Sequence, residues 1–285
     1  MPRIDLDGIV THYQQVGEGP DVVLMHAFTS NLAVWMLTGI VEALSRDFRV
    51  TLYDLRGHGM STVVSEGYTS DELAHDYRRL HEALGLGPAF LVGHSYGGVI
   101  AMRVAHDQPE LVRGVVLSDT YFPGLSHVEP DVEHAGPWTE LRQTFLKAGV
   151  DLGATVDFTK LFQTVAELPD DQMKPVREAM GAAGARWISQ MDQLAGTMAG
   201  REFFMEAGFD ESSICAVRQP VIALYDEHSP FDATARFLRE RLANCTVETV
   251  PDAKHLAPVQ NSRAFVRLVR QHLCRLAGIE AGSPA

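Results

Sequence analysis

The hexapeptide Gly93-His94-Ser95-Tyr96-Gly97-Gly98 follows a short apolar run, Ala89 to Gly93, and opens a stretch of helical periodicity, Tyr96 to Asp107. A G-x-S-x-G sequence between strand and helix forces its central residue into strained backbone geometry. Small residues two positions to either side let neighbouring backbone come close. That context predicts Ser95 exposed at the carboxyl edge of a sheet, with a helix N-terminus behind it to supply donors and partial positive charge to an oxyanion. A phosphate-cradling loop would need G-x-G-x-x-G or G-x-x-x-x-G-K-[ST], and the stretch has neither.

Outward from this turn, continuous β-branched runs at Val22 to His26, Arg49 to Asp54, Ala89 to Gly93 and Gly114 to Asp119 read as buried parallel strands. Helical stretches lie between them at Ala33 to Arg46, Ser70 to Leu84 and Tyr96 to Asp107, the rhythm of a mostly parallel, doubly wound α/β sheet. The rhythm stops near Tyr121 and resumes with a strand at Pro220 to Tyr225, a helix around Ala233 to Ala243, a strand at Cys245 to Val250 and a closing helix at Ser262 to Leu276. The expected organisation is therefore a core at 1–120 and 215–277, a helical cap at 121–214, and a flexible tail at 278–285. Within the cap, Met173 and Met180, then Met191, Met198 and Met205, recur every seven residues beside Phe158, Phe162, Trp187, Phe203 and Phe204. Each set is expected on one helical face, partly lining a ligand cavity with Trp35, Trp138 and Trp187 as wall residues.

Four segments carry a resemblance: His26-Ala27-Phe28, the run Asp54-Leu55-Arg56-Gly57-His58-Gly59-Met60-Ser61, the Ser95 turn, and Val250-Pro251-Asp252-Ala253-Lys254-His255. In this order they resemble the α/β-hydrolase superfamily, in its serine branch with a helical cap after the sixth strand. The likeness covers about Asp7 to Arg275 and leaves the cap unmatched. It implies the α/β-hydrolase fold, Ser95 as nucleophile, His255 as the base in the loop before the last helix, and backbone N–H groups of Phe28 and Tyr96 as the oxyanion hole. Ala27 stands where the family has glycine, and an L-residue resists positive φ. His26, His58 and His94 are expected to pack and hydrogen-bond near the site.

The departure from the family lies after the seventh strand, where Gly-x-x-Asp is usual. Tyr225-Asp226-Glu227-His228-Ser229-Pro230-Phe231-Asp232 puts Asp226 at the glycine and Ser229 at the acid. Serine cannot balance an imidazolium, so the acid comes from Asp119, Asp226 or Asp232, or the site is a weak dyad without one. Asp119 is preferred, because strand ends at the carboxyl edge point toward the crevice that holds Ser95.

Composition bounds the rest. The 285 residues are 46% hydrophobic and 21% charged, within the range of globular chains with a sizeable core. A net charge of −13 excludes a broad basic surface, so neither nucleic acid nor membrane is expected as a partner. No apolar run nears the roughly 20 residues of a membrane span, and Met1-Pro2-Arg3-Ile4-Asp5 lacks a secretory profile, giving a cytoplasmic expectation. Cys215, Cys245 and Cys274 have no metal or disulfide spacing and read as core thiols. The expectation is an enzyme, monomeric or homodimeric and without metal or cofactor, acting on a small-molecule substrate. It would hydrolyse an ester, lactone, thioester or activated C–C bond of an apolar or aromatic carbonyl compound. A lyase, cyclase or ligand-binding role for the same pocket is the alternative.

Overall fold

The computed structural model describes residues 2–130, 136–153 and 157–280. Eight strands form one sheet in the order β1-β2-β4-β3-β5-β6-β7-β8. The strands are β1 (Arg3–Leu6), β2 (Ile9–Val16), β3 (Asp21–Met25), β4 (Arg49–Tyr53), β5 (Ala89–His94), β6 (Val112–Ser118), β7 (Val221–Asp226) and β8 (Cys245–Val250). The strands from β3 to β8 pair in parallel; β1 and β2 pair antiparallel to each other, and β2 pairs antiparallel to β4. The helices are α1 (Ala33–Leu37), α2 (Ile40–Leu44), α3 (Ser70–Leu84), α4 (Tyr96–Asp107), α5 (Gly136–Lys147), α6 (Phe158–Glu167), α7 (Asp170–Leu194), α8 (Ala199–Glu202), α9 (Glu211–Ala216), α10 (Asp232–Arg241), α11 (Ala257–Gln260) and α12 (Ser262–Ala277).

The central strands are continuous apolar runs because both faces are covered. Side chains alternate between two layers. Val23, Met25, Leu91, Val115, Leu117 and Tyr225 pack toward α3, α4 and the inserted helices. Val22, Leu24, Phe90, Val92, Val116 and Leu224 pack toward α1, α2 and α12. The parallel order reverses at β3, which lies between β4 and β5, so the carboxyl ends of β3 and β5 open a crevice where ligands of such sheets bind.

Four expectations are corrected. The hairpin of β1 and β2 goes unread in the sequence because β2 is polar and only partly buried; its signal is Asp7-Gly8, both left-handed (φ 57° and 91°), a two-residue turn of the Asp-Gly type. The single helix expected over Ala33 to Arg46 is two, split by left-handed Gly39 (φ 76°). The methionine spacing holds for one set and fails for the other. Met173 and Met180 share the part of α7 before left-handed Gly181 (φ 66°) and pack on one core, whereas Met191 is buried within α7 and Met198 and Met205 lie outside α8 and are exposed. Trp35 walls no pocket near the cap, because it is fully buried in the opposite layer, stacked on Phe265 of α12.

The insertion between β6 and β7 is helical, and α9 at its end packs on α4, so residue 214 falls inside a core-bound helix. Of the expected tail, Gly278 caps α12 in left-handed geometry, and 281–285 lie outside the described residues. The Trp138 side chain does so as well. Cys215, Cys245 and Cys274 are free thiols, the last buried and the others half-buried. Among the described residues no helix is long and apolar enough to cross a membrane, and no group of three or more His, Cys, Asp or Glu side chains is arranged to hold a metal ion.

Candidate active site

Ser95 sits between β5 and α4 at φ 52°, ψ −118°, a conformation costly for an L-residue and held by its surroundings. Its amide donates to Ser118 O at 2.8 Å, tying the turn to β6, and its carbonyl accepts from Gly98 N at 2.9 Å. The glycines matter through contact rather than φ. A Cβ at Gly97 would stand 2.8 Å from the His26 carbonyl oxygen and closer still to that of Met25. That approach brings the first turn of α4 against the end of β3 and so sets the Tyr96 amide beside the 26–29 turn. Gly97→Ala is expected to cost about 3 kcal/mol, roughly 6–12 °C in Tm, read by calorimetry.

The 26–29 turn is fixed by two buried imidazoles. His26 Nδ1–H donates to Ala27 O at 2.8 Å, and its Nε2 accepts from Leu55 N at 3.0 Å. His58 Nδ1–H donates to Arg56 O at 2.9 Å, and its Nε2 accepts from Thr29 N at 3.1 Å. Ala27 is not left-handed; the positive φ falls on Thr29 (57°), whose hydroxyl donates to Phe28 O at 2.7 Å. The left-handed position of this turn is thus two residues after Ala27. Burial lowers His58 to about 3 and His94 to about 4, and lowers His26 as well, so all three are neutral at pH 7. Among the described residues neither the Phe28 nor the Tyr96 amide donates to a protein acceptor.

His255, left-handed at φ 57°, donates from Nδ1 to Asp119 Oδ2 at 2.8 Å. Asp119 is fully buried at the end of β6 and also left-handed (φ 46°). His94, next to Ser95, donates from Nε2 to the His255 carbonyl at 2.7 Å, and the two rings lie 5.4 Å apart. Phe231 meets the imidazole edge-on at 5.2 Å. Ser95, Asp119 and His255 are three of only seven non-glycine residues with positive φ among those described, a clustering of strain at one crevice.

The other two acids go elsewhere. Asp226 accepts from Ala257 N, and Asp232 is exposed in the first turn of α10. At the vacated acid position Ser229 builds the turn instead, its hydroxyl accepting from Phe231 N at 2.9 Å.

The inserted helices cover this crevice with aromatic rings. Phe28 packs against Phe158, Phe162, Phe203 and Phe204, with Phe203 nearest at 3.9 Å between centroids. Phe203 also meets Tyr96 at 4.4 Å, so one side chain of the insertion touches both Phe28 and Tyr96. Trp187 reaches the turn as well, its indole N–H donating to Thr29 Oγ1. The insertion is anchored by Gln190, which donates to Gly57 O and accepts from Gly59 N, both at 2.9 Å. Glu202 adds to this by accepting from Gly67 N and Tyr68 N at 2.8 Å. Sequence reasoning missed Thr29, Gln190, Glu202 and Phe231; their partners are distant along the chain, and no local pattern marks them.

A family model described as alpha/beta hydrolase fold matches residues 20–262. The 2-(acetamidomethylene)succinate hydrolase of Mesorhizobium japonicum is 37% identical over 117 residues, covering 41% of each chain. Bifunctional epoxide hydrolase 2 of Sus scrofa is 32% identical over half of this chain and 26% of its own length. The chain thus spans less than half the length of these curated relatives. A putative 2-succinyl-6-hydroxy-2,4-cyclohexadiene-1-carboxylate synthase of Bacillus subtilis is 26% identical across 94% of this chain and 96% of its own. Among solved structures, the enol-lactonase of Burkholderia xenovorans superposes with a TM-score of 0.69 at 22% identity, covering 95% of this chain and 99% of that one. A thermophilic esterase of Thermogutta terrifontis gives 0.70 at 21%, covering 97% and 100%; at such identities these two establish the fold alone.

Proposed function

The chain belongs to the alpha/beta-hydrolase fold family, and from that premise we propose that it is a serine hydrolase using no cofactor, with the inserted helices α5 to α8 as its lid. Ser95 attacks the substrate carbonyl, His255 takes the serine proton and returns it to the leaving group, and Asp119 orients the imidazole and stabilises its charged form. The Phe28 and Tyr96 amides receive the oxyanion. Water then repeats the sequence on the acyl-enzyme, with His255 as base.

One observation carries this reading: the 2.8 Å hydrogen bond from His255 Nδ1 to Asp119 Oδ2, which leaves the other ring nitrogen for a hydroxyl. The substrate is a small to medium apolar or aromatic carbonyl compound, a reading supported by the cluster of Phe28, Phe158, Phe203 and Phe204 where the insertion meets the 26–29 turn. Ester, thioester, lactone and activated C–C bonds all pass through the same tetrahedral geometry. The test is a panel of such compounds graded in acyl size. Turnover of hexanoyl or benzoyl esters is expected to exceed that of acetyl esters by about tenfold or more in kcat/KM.

A second reading, acid–base chemistry without hydrolysis, is favoured by the match across 94% of this chain to a protein named as a putative synthase. Tight binding of apolar ligands with no turnover anywhere on the panel would select it.

A further inference from the structure

Asp226 closes β7 and is 2% exposed. Its amide donates to Asp119 Oδ1 at 3.1 Å, and its carbonyl accepts from Ser229 N at 2.9 Å. Its Oδ2 accepts at 2.9 Å from Ala257 N, two residues beyond His255. Its Oδ1 is buried with no partner.

The groups facing this carboxyl are Asp119 from the end of β6, and His255 with the Leu256 and Ala257 amides from the segment between β8 and α11. His255 has given its Nδ1–H to Asp119, and among the described residues no lysine or arginine pairs with Asp226. Two buried carboxyl groups therefore share one corner with a single histidine. A second carboxylate there would have an unsatisfied oxygen and a like-charged neighbour, both costly away from water.

We propose that Asp226 is a positioning residue that works uncharged: it clamps the His255 segment through Ala257 N–H and steadies Asp119 through its own amide, without adding a second negative charge beside the imidazole. This rests on the reading of His255 as the base.

Burial, and after it the Asp119 charge, push the Asp226 carboxyl up to about 7. The sign of the linkage follows. A carboxyl bound to its proton more tightly in the folded state gives its full contribution to stability below the ordinary carboxylate range, about pH 4, and loses it as pH rises through about 7. Across the same interval the arriving charge favours the imidazolium and so withholds the base.

The experiment compares wild type, Asp226→Asn and Asp226→Ala. Asparagine keeps a carbonyl for Ala257 N–H and cannot ionise. It is expected to hold kcat/KM at pH 7 within about threefold, to move the acid limb of the kcat/KM profile about half a pH unit lower, and to raise Tm by several degrees at pH 8.5, by less at pH 5 and by little at pH 4. Alanine removes the clamp and is expected to lower kcat about tenfold with KM nearly unchanged. A loss near 10³-fold in Asp226→Asn would show that the charged carboxylate is needed and would overturn the proposal. So would an Asp226→Asn variant whose pH profile and Tm–pH curve coincide with wild type, or an Asp226→Ala variant with wild-type kcat. Should Asp226→Ala not fold, the asparagine variant still decides. The Tm–pH curves need no substrate, so failure of the hydrolase reading and failure of this proposal remain distinguishable.

Discussion

Ser95→Ala is expected to lower kcat on the best ester of the panel by about 10⁶-fold, leaving a residual rate about 10³–10⁴ above water. In the proposed mechanism the Ser95 hydroxyl forms the covalent bond. The residue stands at φ 52°, ψ −118°, a geometry that alanine also finds costly, so the fold gains no new strain from the change. The Phe28 and Tyr96 amides stay where they are and account for the remaining rate. Purified variant protein with an unchanged Tm and lost turnover is the expected pair of observations.

Asp119→Asn is expected to lower kcat by about 10⁴-fold, close to 5 kcal/mol of transition-state stabilisation, with KM changed little. The hydrogen bonds around this carboxyl explain why a nearly isosteric residue fails. Asp119 Oδ1 accepts from Asp226 N at 3.1 Å and Oδ2 accepts from His255 Nδ1 at 2.8 Å. An asparagine can keep its carbonyl on the Asp226 amide only by turning its NH₂ toward His255. The imidazole must then accept at Nδ1 and carry its proton on Nε2, the tautomer that cannot take a proton from Ser95. Asp232→Asn, by contrast, alters an exposed first-turn residue of α10 and is expected to leave kcat within about twofold. Equal losses in the two variants would contradict the assignment.

These residues differ in how far the sequence alone could reach them. Ser95 is legible because its chemistry depends on neighbours in the chain, the strand before it and the helix after it. His255 is legible by its position after the last strand. Asp119 was preferred only by comparing carboxylates near the carboxyl edge, since its partner is 136 positions away. What could not be read depends on packing between distant segments. Gln190 and Glu202 anchor the insertion on backbone groups more than 130 residues away, and nothing in their neighbours marks them. Trp35 shows the converse error: it is grouped in the sequence with Trp138 and Trp187 as a wall of the cap's cavity, yet the helical turn that carries it faces the other layer. The seven-residue spacing of Met191, Met198 and Met205 failed for a backbone reason, because the chain leaves α7 at Leu194 and α8 spans only Ala199–Glu202, so the helix that the spacing assumes is interrupted.

The inserted helices are coupled to the 26–29 turn by packing. Phe203 touches both Phe28 and Tyr96, and Trp187 donates to Thr29.

The central claim is that Ser95 is an activated nucleophile served by His255. Intact-mass measurement after brief exposure to a fluorophosphonate, followed by peptide mapping, tests it most directly. The account predicts a single adduct on Ser95, absent from Ser95→Ala and formed at least about 10³-fold more slowly in His255→Ala. An adduct on another residue, or folded wild-type protein that takes up none, would contradict it.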